Sequence, residues 1–158
     1  MYWNQKKETM RRQDILSLQE ERLIKLVRYA YDKVPLYKRK FKDAGLHPDD
    51  IKTLDDAEKI PFTYKDDLRD SYPFEMFSVP MEDIVRIHAS SGTTGNPTVV
   101  GYTQDDLDAW TEMMARCMVA TGCSKGDVVQ VAYGYGLFTG GLGLHYGSEK
   151  IGAAEIEK

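Results

Sequence analysis

The stretch "HASSGTTGNPTVVGYT", His88–Thr103, decides how the rest of the chain is read. Seven consecutive residues, Ala89–Gly95, are small or carry a hydroxyl, and β-branched residues return with Thr98–Val100. A linker needs no such density of hydroxyls, and a turn needs only about two to four special residues. Upstream, "DIVRIHA" alternates Val85, Ile87 and Ala89 with Ile84, Arg86 and His88, the period of a strand. Downstream, "TVVGYT", Thr98–Thr103, reads as a second short strand. Residues 90–98 therefore form a hydroxyl- and glycine-rich loop between two strands.

Beyond the second strand, Thr103 caps a helix, with Asp106 at its third position. Leu107, Trp110, Met113, Met114, Cys117 and Met118 mark one apolar stripe, read as core rather than a cofactor box. Gly122 ends this helix. "DVVQVAY", Asp127–Tyr133, is a third strand, and its Val-rich run suits coverage on both faces. A glycine-rich turn and a helix from about Leu142 to Ile151 follow. A strand and helix normally lead to another parallel strand. None is read in the closing "GAAEIEK", so the chain is expected to be truncated, with an appended tail.

The first half reads as helical. In "DILSLQEERLIKLVRYAYDKV", Leu23, Leu26, Val27, Ala30 and Val34 recur at helical spacing. Pro35 suits the first turn of a second helix, closed by Gly45. Thr53 with Asp56 and Thr63 with Asp66 have capping-box spacing and signal two more short helices. The chain divides into a mainly helical segment, 1–82, and a partial α/β subdomain, 83–158, that carries the loop.

The totals narrow the function. With 158 residues the chain can bury one core. A net charge of −4 argues against nucleic acid or an anionic membrane as a partner. No apolar run approaches the ~18 residues of a membrane span, and the polar N-terminus has no secretory h-region. Cys117 and Cys123 fit neither a zinc site nor a disulfide framework, so a cytoplasmic setting is expected. His47, His88 and His145 show no metal-ligand spacing, so no metal site is read.

Ser90, Ser91, Gly92, Thr93, Thr94 and Gly95 offer rotatable hydroxyls and a run of backbone N–H groups. Glycines allow positive φ and close approach, and successive N–H groups form a concave anion site. The pattern is neither a Walker A loop, lacking Gly-Lys-Ser/Thr, nor a dinucleotide fingerprint. On composition alone it is a polyphosphate site or a plain surface loop. "AYGYGLFTGGLGLHYG" sets Tyr133, Tyr135, Phe138 and Tyr146 among six glycines after a strand end, where open α/β sheets bind ligands. That block is either a flat-walled pocket for a planar group or an aromatic cluster packed under a glycine turn. His145 lies close by and is read as structural.

"SSGTTGNPT" resembles the signature loop of the adenylate-forming enzymes. Together with "KIPFTYKDDLRDSYPF" and the aromatic block, the chain up to about Gly152 is similar to the N-terminal part of the phenylacetate–coenzyme A ligase family. The resemblance implies an α/β fold, namely a helical segment followed by part of the large N-terminal domain. It implies ATP with Mg, an aryl acid, and coenzyme A as co-substrate. The acid first gives an acyl adenylate and pyrophosphate, and the thiol then displaces AMP. Ser90–Gly95 would hold the β- and γ-phosphates. Tyr133, Tyr135, Gly136 and Phe138 would form the acid pocket, with Tyr133 and Phe138 as its walls. The sequence departs from the pattern at Asn96 and Thr98, where relatives often carry lysine, so the loop alone has fewer cations for phosphate. The catalytic groups are expected beyond Lys158, which leaves this chain alone inactive. The competing readings are a non-catalytic phosphate- or nucleotide-binding module and a dimerisation element, the helical first half being a candidate homodimer contact.

Overall fold

Val34 precedes a proline, and the proline ring pushes it out of the helical region to φ −115°, ψ 111°. That single extended residue separates helix α2, Arg12–Lys33, from helix α3, Pro35–Asp43, and folds them into a hairpin. Pro35 sits at the start of α3, where its missing N–H costs nothing. Gly45, φ 65°, then reverses the chain, and Leu46 N–H donates to the Phe41 carbonyl. Val27, Phe41 and Ile51 are buried, with Leu23, Tyr31, Leu46 and Ile60 packed against them. Burying one such side chain contributes about 1.5–3 kcal/mol.

The structure, a computed structural model, describes residues 1–90, 95–136 and 139–157. Its contacts divide the chain into two units. One comprises Met10–Met81 with Gly92–Val99 and contains the helical hairpin. After it come one-turn 3-10 helices at Pro48–Asp50 and Asp55–Lys59, then helix α4, Lys65–Asp70. Asp56 accepts from the Thr53 N–H and hydroxyl, as the spacing predicts. The second predicted cap is displaced by one residue. Tyr64 is the N-cap of α4, and its N–H donates to Asp67 at 2.7 Å. Thr63 instead directs its hydroxyl to Tyr37. Asp67 also pairs with Lys40 at 2.7 Å, which binds α4 to α3 and explains the shift.

The other unit comprises Met1–Thr9, Glu82–Ser91 and Val100–Lys158. Strands β1, Arg86–Ala89, and β2, Val99–Tyr102, pair with one another. Val85 at the start of β1 donates to Tyr102 at the end of β2, so the two run in opposite directions. Thr103 and Asp106 cap helix α5, Gln104–Ala120, reciprocally. Gly122, φ 103°, closes it, with Cys123 N–H donating to the Met118 carbonyl. Strand β3, Val128–Val131, helix α6, Gly140–Ile151, and strand β4, Ala154–Glu157, form a βαβ unit. β3 and β4 are parallel, in register Val128↔Ala154 to Val131↔Glu157.

The structure departs from the sequence expectations at three points. The closing residues do supply the strand that the pattern lacked. Alternating burial did not reveal it in so short a run, but pairing with β3 satisfies its backbone. Next, β3 is covered on one face only. Val131 is buried and Val129 packs on the helices, while Val128 is 65% exposed, because α5 and α6 pack on the opposite face. Last, Met113 and Cys117 are exposed. The buried face of α5 is Ala115, Met118 and Val119, turned toward α6 rather than centred on the predicted stripe.

α6 approaches α5 through glycines. A Cβ at Gly147 would lie 2.9 Å from Met114 Cβ and 3.0 Å from Met118 Sδ. Gly147→Ala is expected to destabilise the protein by about 1–3 kcal/mol, because Met114 Cβ cannot swing aside. A urea midpoint equal to that of the unsubstituted protein would contradict this packing.

The N-terminal helix α1, Gln5–Glu8, belongs to the same unit through Glu112. Trp3 Nε1 donates to its carboxylate at 3.0 Å and Asn4 Nδ2 at 3.2 Å, with Arg116 at 3.3 Å. The Trp3 hydrogen bond, above all, holds the Glu112 carboxyl below its ordinary value. Stabilisation from this group is therefore complete above the ordinary carboxylate value and lost as pH falls through the lower folded one. Followed by NMR, the Trp3 indole N–H is expected to shift only at acidic pH, below the ordinary carboxylate range. Glu112→Gln should remove that titration.

Candidate functional site

β1 presents its charged and polar residues inward. Residues two apart on a strand share a face, and here that face holds Arg86 and His88, while Val85 and Ile87 are exposed. Arg86 Nη2 donates to the Tyr146 hydroxyl at 2.9 Å, and its guanidinium lies 4.8 Å from the centre of the Tyr146 ring. That contact docks β1 on α6. His88, 3% exposed, stands edge-on to Tyr102 at 5.5 Å and to Trp110 at 6.2 Å. Tyr102 and Trp110 stack at 5.7 Å, 20° apart. Trp110 lies against a gap in α6: a Cβ at Gly143 would come within 2.9 Å of the indole Nε1 and Cζ2.

The loop leaves β1 directly beyond this ring cluster. Ser90 is exposed at the strand end. Gly95 has φ 133°, a conformation L side chains rarely adopt, and a Cβ there would meet nothing within 4 Å. Ser91, Gly92, Thr93 and Thr94 lie outside the described residues.

The glycine turn follows β3. Tyr133 is 53% exposed, and a Cβ at Gly134 or Gly136 would meet nothing within 4 Å. Tyr135 donates to Glu155 Oε1 at 2.9 Å and stands edge-on to His145. His145 Nδ1 lies 2.6 Å from Glu155 Oε2, an ion pair when the imidazole is protonated, which supports its structural role. Phe138 lies outside the described residues. The glycines of this block divide by position. Gly141, Gly143 and Gly147 let α6 approach the turn, Trp110 and Met114, while Gly134 and Gly136 border open space. Glycine enrichment in the α6 portion therefore reflects helix packing rather than room for a ligand.

The same unit has a cleft of about 530 Å³ between the first turns of α5 and the last turns of α6. Arg86 and Lys150 line it opposite Asp108 and Glu149, but none of the predicted site residues does. Among the described residues no three His, Cys, Asp or Glu side chains converge on a metal position. No helix there is long and apolar enough to cross a membrane.

Arg86, His88 and Trp110 escaped the sequence reading as a group. His88 looked like an isolated histidine and Trp110 like one member of a core stripe. Only the alternation of β1 carried a signal, and it does not say which face is inward.

No protein-family model matches the chain. It is 58% identical over 149 residues to a phenylacetate-coenzyme A ligase of Escherichia coli K12, covering 94% of this chain and 34% of that protein. A phenylacetate-coenzyme A ligase of Thermus thermophilus is 53% identical over 156 residues, covering 99% and 35%. Among solved structures, a 2-hydroxyisobutyryl-CoA ligase in complex with 2-HIB-AMP and CoA superposes with a TM-score of 0.91. Its identity is 35%, and the match covers 98% of this chain and 34% of that one. The chain thus spans about a third of the length of the relatives it matches. In sequence it is a homologue of the phenylacetate-coenzyme A ligases, and in fold it corresponds to the N-terminal part of an adenylate-forming coenzyme A ligase.

Proposed function

We propose that this chain is the N-terminal part of a ligase that makes phenylacetyl-coenzyme A, or the thioester of a related aryl acid. The reading is carried by identities of 53–59% to phenylacetate-coenzyme A ligases over most of the chain. In the first step a carboxylate oxygen attacks the α-phosphorus of ATP and pyrophosphate leaves. In the second the thiol of coenzyme A attacks the acyl carbon of the adenylate and AMP leaves.

In this reading, Ser90–Gly95 hold the β- and γ-phosphates. Their hydroxyls and N–H groups donate to phosphate oxygens, and Gly95 supplies the positive φ that such a loop uses. Tyr133, Tyr135, Gly136 and Phe138 receive the aryl group, which supports a division of labour between the loop and the turn. The open space beside Gly134 and Gly136 is consistent with that role.

The test is phenylacetate-dependent exchange of pyrophosphate into ATP by the complete ligase containing this chain. Replacing Gly92 and Gly95 together by Ala is expected to raise KM for ATP on the order of 10-fold or more, since misplacing a bound group by about 1 Å costs up to about 10²-fold. Unchanged ATP kinetics would sink the phosphate-loop assignment.

The 158-residue chain assayed alone with ATP, magnesium, phenylacetate and coenzyme A should release no pyrophosphate. Adenylation needs charge stabilisation at the α-phosphate, and losing one such contact typically costs ~10²–10³ in rate. Turnover by the chain matching that of the complete ligase would show that the catalytic groups lie within these residues.

A further inference from the structure

We propose that His88, Trp110 and Gly143 are positioning residues for the ATP phosphates, forming one chain of contacts from the root of the phosphate loop to the helix that follows the acid-binding turn. The proposal rests on the function proposed above.

His88 is the penultimate residue of β1, two before Ser90. Its ring stands edge-on to Tyr102, the last residue of β2, on which the same loop returns. Trp110 of α5 closes the group, stacked on Tyr102 and edge-on to His88. The indole ring thus holds His88 next to the loop's departure from β1, and Tyr102 at the end of β2 remote from the loop. That ring is itself held from the other side by α6. A Cβ at Gly143 would meet Nε1 and Cζ2 at 2.9 Å and Cε2 at 3.0 Å. An indole cannot retreat as the tip of a flexible side chain can, and here His88 and Tyr102 stand against it. Any side chain at position 143 therefore displaces Trp110, α6, or both.

α6 starts at Gly140, directly after the turn bearing Tyr133, Tyr135 and Gly136. Its first turn also touches that segment. A Cβ at Gly141 would lie 3.3 Å from the Tyr133 carbonyl oxygen and 3.3 Å from the Tyr135 ring. The first turn of α6 thus lies between the acid turn, met at Gly141, and the ring cluster, met at Gly143 on nearly the opposite face of the helix. Packed contacts of this kind transmit displacement because interiors are dense and resist compression. The loop and the turn are expected to respond together.

The experiment measures KM for ATP and for phenylacetate in the exchange reaction, on the complete ligase. His88→Ala should raise KM for ATP about 10-fold, with KM for phenylacetate within about twofold, and His88→Phe should restore much of the loss by replacing the ring. Gly143→Ala should raise both KM values, the ATP value again by about 10-fold, within the up to about 10²-fold cost of a small misplacement. Adding Trp110→Phe, which removes the indole atoms nearest position 143, should return KM for ATP toward that of the unsubstituted enzyme. If Gly143→Ala does not give folded protein, His88→Ala reads the same chain from its other end. A Gly143 that served only to pack α6 would change KM for phenylacetate and thermal stability but leave KM for ATP untouched. That outcome, or an unchanged KM for ATP in His88→Ala, overturns the proposal. Absence of phenylacetate-dependent exchange in the unsubstituted ligase would instead refute the proposed function, and the proposal would fall with it.

Discussion

The contact between α6 and α5 governs the unit that carries the loop root. α6 turns Gly143 and Gly147, one helical turn apart, toward α5, and at each a Cβ would crowd Trp110 or Met114. Glycine in a helix interior costs roughly 0.5–1 kcal/mol relative to alanine, which the burial made possible by close approach must offset. Ala115, Met118, Val119 and Ile151 form the core that results, with Trp3, Cys123 and Val129 against it. Without the glycines, the two helices would separate and the Trp110 ring would lose its seat.

Strand β1 depends on those helices for its inner face. A strand at the edge of a core usually turns its apolar residues inward. β1 does the reverse, because the partners awaiting it are a phenol and an indole rather than aliphatic chains. Tyr146 takes the guanidinium of Arg86 through both its hydroxyl and its ring face. Trp110 and Tyr102 take the imidazole of His88 edge-on. Charge and aromatic geometry thus replace part of the aliphatic packing at the point where the loop departs.

The outer surfaces of this unit carry apolar residues that a closed α/β domain would cover. Val128 and Ile156 are more than half exposed on one side of the β3–β4 pair, and Met113 is exposed on α5. The chain spans about a third of the length of its relatives. The Val-rich run Asp127–Tyr133 predicts a strand covered on both sides, and in this chain one side of β3 is open. A Val-rich run records the environment of the strand in its family fold, and burial in this chain depends on which layers it contains.

The sequence by itself determined the local elements and the likeness to phenylacetate-coenzyme A ligases. The α2–α3 hairpin followed from Pro35 and Gly45, the start of α5 from Thr103 and Asp106, and its end from Gly122. Each of those signals is a backbone preference or a hydrogen bond spanning a few residues. The loop and the aromatic turn stand out by composition, because glycines in such density cost backbone entropy. Tertiary structure alone decided the rest. The parallel partner of β3 lay in four residues with little pattern of their own, since strand pairing is satisfied by a distant backbone. The inward turn of His88, its meeting with Trp110, and the use of Gly143 join residues up to 55 positions apart, and neither period nor spacing along the chain encodes such contacts. They are set by which surfaces meet when the helices pack, and packing density makes each position specific only once its neighbours are in place.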